Sequence, residues 1–144
     1  MRRRSSSPAS SGQALVEFSL AITIFVWLML GVFDLGRLVY VNTATAQAAR
    51  EAARWGSVQF RSASDTSRQT IAAYAVNTMT AVPSPSASAT CMENGAPIAD
   101  PSTCHAGDLL VVHVTSVVAP ITPVIGQLVG NVTVSSSAEV TVQQ

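Results

Sequence analysis

Gly12-Gln13-Ala14-Leu15-Val16-Glu17-Phe18 leads into SLAITIFVWLMLGVF, residues 19–33, a run without formal charge whose only polar members are Ser19 and Thr23. Ala14 to Phe33 is about 20 residues, the length a helix needs to cross roughly 30 Å of hydrocarbon. Glu17 stands at the mouth of this run. A carboxylate there is costly unless it has a partner, which makes Glu17 a candidate functional residue. Ahead of it lies MRRRSSSPASSG, residues 1–12, a basic and Ser-rich composition that predicts a disordered targeting leader. Arginines beside a membrane segment stay on the cytoplasmic side, so residues from Asp34 onward are expected outside.

Beyond the apolar run, nothing after Gly36 opposes a helix before Gly56, and Asp34–Trp55 is rich in alanine, a strong helix former. The pattern predicts one continuous helix from Gln13 to Trp55, about 43 residues and roughly 65 Å long, half in the membrane and half projecting from it. Gly36 is where such a helix would loosen. Asp34/Arg37 and Glu51/Arg54 have the spacing of weak surface pairs. Leu35, Leu38, Asn42, Thr45, Ala49 and Ala52 form a stripe at helical spacing, whose small members let another backbone approach closely. That stripe fits packing on the chain's own C-terminal domain and packing on neighbouring subunits alike.

The remainder reads as one small exported domain. Thr66-Ser-Arg-Gln69 has the form of a capping box opening a second helix. Ile71, Tyr74, Ala75, Thr78, Met79 and Val82 give that helix a buried face, and Pro83 ends it. Val82–Ala89 is a loop by composition, continued through Pro97 and Pro101. Leu109–Val118 predicts a strand covered on both faces and Val132–Val142 a half-buried antiparallel strand, with a short third strand at Val124–Val129. The fold class is α+β: a long N-terminal membrane-spanning helix continuing into an extracytoplasmic domain with a second helix and a small antiparallel β-sheet. Its units are a basic leader (1–12), the long helix (13–56, membrane-spanning over about 14–33) and the extracytoplasmic domain (57–144). Cys91 and Cys104 are the only cysteines. An even count in an exported segment predicts a disulfide. It would close a loop of about 14 residues and contribute on the order of 3 kcal/mol.

Arginine supplies all eight basic side chains, and three of these lie in the leader. Without residues 1–12, five arginines face eight acids, which leaves no clustered basic surface for nucleic acid. No glycine-rich phosphate loop, serine-nucleophile motif or acidic metal cluster occurs in the sequence. Cys91, Cys104, His105 and His113 could supply four zinc ligands, but they lack the paired short intervals of such sites. His113, inside an apolar strand run, reads as a structural histidine. The expectation is a non-enzyme without metal, cofactor or small-molecule substrate.

Gly12-x-x-x-x-Glu17-Phe18, the apolar run, Asp34-Leu-Gly36-Arg37 and Ala48-Ala-Arg50-Glu-Ala-Ala-Arg54 stand in the order of the TadE-like family, which the chain resembles over residues 12 to about 56. The resemblance marks Phe18, Asp34, Gly36, Arg37, Arg50 and Arg54 as motif residues. It implies a minor pseudopilin or assembly component of a tight-adherence (Flp-type, type IV-like) pilus. It also implies a single pass of the cytoplasmic membrane, with the N-terminus inside and lipid around the helix. Its partners would be a prepilin peptidase, cutting between Gly12 and Gln13, and the pilin and pilus-assembly subunits. Cleavage would make Glu17 the fifth mature residue and free the α-amine of Gln13, cationic near neutral pH. Glu17 could then pair with such an amine on an adjacent subunit, unless Gln13 cyclises and loses the charge. Family members commonly carry a proline about a third of the way along the apolar run, where this chain has Thr23. The alternative is an uncleaved single-pass anchor for an extracytoplasmic binding module. A secretory-signal reading would instead place cleavage at Ala44-Thr45-Ala46.

Overall fold

Helix α1 (Ala9–Gln59) is one unbroken helix of 51 residues, about 76 Å long. The computed structural model describes residues 9–59, 68–98 and 104–143, so Thr66 of the expected capping box lies outside the described residues. α1 starts ahead of Gly12 and passes Gly36 and Gly56 without interruption. The expected disordered leader therefore gives way to helix at Ala9–Gly12. Extending an existing helix adds a backbone bond for each residue fixed, whereas starting one does not.

The two halves of α1 meet different surroundings. Every side chain from Gln13 to Leu30 is exposed, and the helix is long and apolar enough to cross a membrane. Its two polar residues are satisfied within the helix. Ser19 Oγ donates to the Val16 carbonyl at 2.8 Å and Thr23 Oγ1 to the Ser19 carbonyl at 2.7 Å, so neither hydroxyl is bare in an apolar medium. Past Gly36 one face closes: Val41, Thr45, Ala48, Ala49, Ala52, Ala53 and Gly56 are buried. Leu35 and Asn42 of the expected stripe are exposed, because the contact face is turned toward Val41. The stripe packs on the chain's own sheet and second helix.

The domain follows as α2 (Arg68–Thr78), β1 (Pro85–Glu93), β2 (Ala96–Pro97), β3 (Leu109–Val118), α3 (Pro123–Val129) and β4 (Val132–Thr141). The strands form one antiparallel sheet in the order β2-β1-β3-β4. α1 lies along β3 and β4, and α2 along β1. The core between helices and sheet holds Leu110, Val112, Val114 and Val118 of β3, Ala89 and Cys91 of β1, Val134 of β4, and Ile71 and Ala75 of α2. The buried Ser116 is satisfied by donating to the Pro83 carbonyl at 2.6 Å.

Four expectations need correcting. Val82–Ala89 is not all loop, because β1 begins at Pro85 and carries Ala87, Ala89 and Cys91 inward with Ser86 and Ser88 outward. Small side chains concealed the period of two, and a proline is tolerated as the first residue of a strand. β3 is covered on one face only: His113 and Val117 are exposed on the other, so His113 is no core residue. Val124–Val129 is helical, with Pro123 at its start, where the missing N–H costs nothing, and Gly130 at φ 70° after it. α2 ends at Thr78, before Pro83, and the chain leaves it through Ala81 at φ 68°. The Cys91–Cys104 disulfide is present, with the Cα atoms 6.0 Å apart, so neither thiol is available to a metal.

Candidate functional site

Gly12, Gln13, Glu17 and Phe18 lie on the first turns of α1 and are all exposed. A Cβ at Gly12 would meet nothing within 4 Å. Among the described residues, Glu17 has no hydrogen-bond or ion-pair partner. Its carboxylate therefore lacks the intrachain compensation that a group beside an apolar run requires.

Asp34 and Arg37 lie near the C-terminal end of the apolar run and do not pair with each other. The Asp34 carboxylate accepts from the Ile121 amide at 2.9 Å, the Thr122 amide at 3.0 Å and the Thr122 hydroxyl at 2.6 Å. Arg37 Nη1 donates to the Ala119 carbonyl at 2.9 Å. One helix turn thus grips the β3–α3 turn from both sides. The Thr122 hydroxyl, followed by the Ile121 and Thr122 amides, holds the Asp34 carboxyl below its ordinary value, with a smaller contribution from Arg37. Gly36, between the two, is exposed with open space around it. An acid and a base at this spacing read equally well as a surface pair. Their actual partners, 82 to 88 residues away, carry no local signal.

In Ala48-Ala-Arg50-Glu-Ala-Ala-Arg54 the four alanines face the core, while Arg50 and Arg54 are exposed. Glu51 accepts from the Tyr74 hydroxyl at 3.1 Å, so its bond is to α2 and not to Arg54. That bond, with help from burial, raises the Tyr74 pKa. Tyr74 also stacks on Trp55, with ring centroids 4.7 Å apart and planes 3° from parallel. The motif is thus a smooth helix face flanked by groups that fasten α2. This role was missed in the sequence because alanine pairs signal helix propensity before they signal contact.

The family model described as TadE-like protein matches residues 12–54. No curated protein and no solved structure matches the chain. The matched stretch begins at Gly12 and includes the exposed Glu17, the Asp34/Arg37 grip and the alanine face, all on α1. Over residues 12–54 this chain is similar to the TadE-like family.

Proposed function

We propose that the protein is a membrane component of a tight-adherence (Flp-type) pilus system, a minor pseudopilin or assembly subunit without catalysis of its own. In this reading a prepilin peptidase cuts between Gly12 and Gln13. α1 stores the protein in the cytoplasmic membrane through residues 14–33, with the leader inside and the α+β domain outside. Glu17 then pairs with a neighbouring subunit's N-terminal amine, which sets the axial register between subunits more than it adds bulk stability. One observation carries the reading: the TadE-like stretch starts at Gly12, five residues before Glu17, which is exposed and has no partner among the described residues.

The test is the N-terminus of protein extracted from membranes of cells with an active prepilin peptidase, read by intact-mass and peptide mass spectrometry. A chain beginning at Gln13 is expected, and Gly12→Asp should retain the leader. A chain beginning at Met1 or Arg2, or an unaltered mature size for Gly12→Asp, would reject processing and leave an uncleaved anchor.

A further inference from the structure

We infer that α3 and the turn leading into it form a lipid-contacting foot, seated in the outer interface of the same bilayer that α1 crosses. The inference rests on the membrane placement of α1 and not on cleavage at Gly12. Depth comes from direct contacts. Ile121 and Thr122 bond to Asp34, so α3 starts level with the end of the apolar run. From there it turns inward, not away: Ile125 Cδ1 lies 4.0 Å from the position a Cβ would take on Gly31. Ile125 also lines one apolar groove with Trp27, Leu28 and Gly31 of the span. Gly31 lies three residues, about 4.5 Å along the axis, inside Asp34.

Among the described side chains, the bare ones on the foot are apolar except Gln127. Ile121 is 59% exposed, Leu128 81% and Val129 63%. No formally charged residue occurs between Asp108 and Glu139. The backbone is prepared as well, since the Ile121 and Thr122 amides, which would be costly next to hydrocarbon, are satisfied by the Asp34 carboxylate. An apolar segment at this level enters the headgroup and acyl boundary by about 5–10 Å. Lacking basic residues, the foot needs no anionic lipid. The Asp34/Arg37 grip thereby acquires a consequence: it fixes the height and tilt of the whole domain over the membrane.

The experiment is spin-label accessibility on the full chain with its disulfide intact, reconstituted in phosphatidylcholine vesicles. A nitroxide is placed at Leu128→Cys, with Ile24→Cys reporting the span and Ser88→Cys the water-facing sheet. The expected result is that oxygen reaches the label at 128 several-fold better than a water-soluble nickel chelate, as at 24. Salt or added anionic lipid should not change this. Nickel access at 128 equal to that at 88, with 24 still in lipid, would overturn the foot. Nickel access at 24 as well would overturn the membrane placement beneath it. Shielding of 128 from both reagents, with spin–spin broadening that survives dilution in lipid, would assign this face to a second copy instead of lipid.

Discussion

Asp34 gathers three donors from a turn 87 and 88 residues away, so one carboxylate decides where the end of β3 sits on the helix. Its folded pKa is depressed below the ordinary 3.8. The stabilisation it supplies is therefore complete above that value and is lost as pH falls through the lower, folded one. Asp34→Asn keeps the shape but replaces a charged acceptor by an amide that cannot serve all three donors. The variant should melt below the wild type at pH 7, and the gap should close as the pH is taken below about 3.8. A gap of constant size across that range, followed by thermal unfolding in detergent, would mean that the charge contributes nothing. Glu17 is the opposite case. Its offset from Gly12 is legible in the sequence because it is a local spacing, and among the described residues Glu17 has no partner.

At the level of elements, the alanine face of α1 works because it is thin. A Cβ added at Gly56 would lie 2.7 Å from Leu110 Cδ2 and 2.9 Å from Ile71 Cδ1, where helix α1, strand β3 and helix α2 converge. Gly56→Val is expected to cost about 1–3 kcal/mol, the usual range for overpacking a filled core. The check is a lowered denaturant midpoint at unchanged slope, and an unchanged midpoint would show that the three elements have room to separate. In the sequence Gly56 reads as a helix breaker, yet the helix continues past it, because close packing outweighs glycine's intrinsic penalty. The hairpin from β1 to β2 shows the converse. Asn94 at φ 52° and Gly95 at φ 82° make a two-residue turn, and Asn-Gly between alternating residues is a strong hairpin signal. Serine, alanine and proline around it masked that signal.

The whole molecule is a long helix with a small domain attached to its C-terminal half, so most of α1 before Gly31 contributes nothing to the domain's core. A core dominated by alanine and valine makes the Cys91–Cys104 bridge a large part of domain stability. Removing it in a Cys91→Ala/Cys104→Ala protein should cost on the order of 3 kcal/mol, the chain-entropy expectation for so short a loop. Protease resistance should fall in parallel, and identical resistance of oxidised and reduced wild type would contradict this. The sequence by itself determined the features with local causes. These are the apolar run long enough to span a bilayer, the Gly12–Glu17 offset, the helix-forming alanines, the alternation of β4 and the pairing implied by two cysteines. Tertiary structure alone decided which face of α1 is buried, that β3 is covered on one side, that Val124–Val129 is helical, and that Asp34 and Arg37 bind a turn instead of each other. The Asp34 and Arg37 contacts join groups more than eighty residues apart, and no periodicity or propensity of a short segment encodes such a meeting.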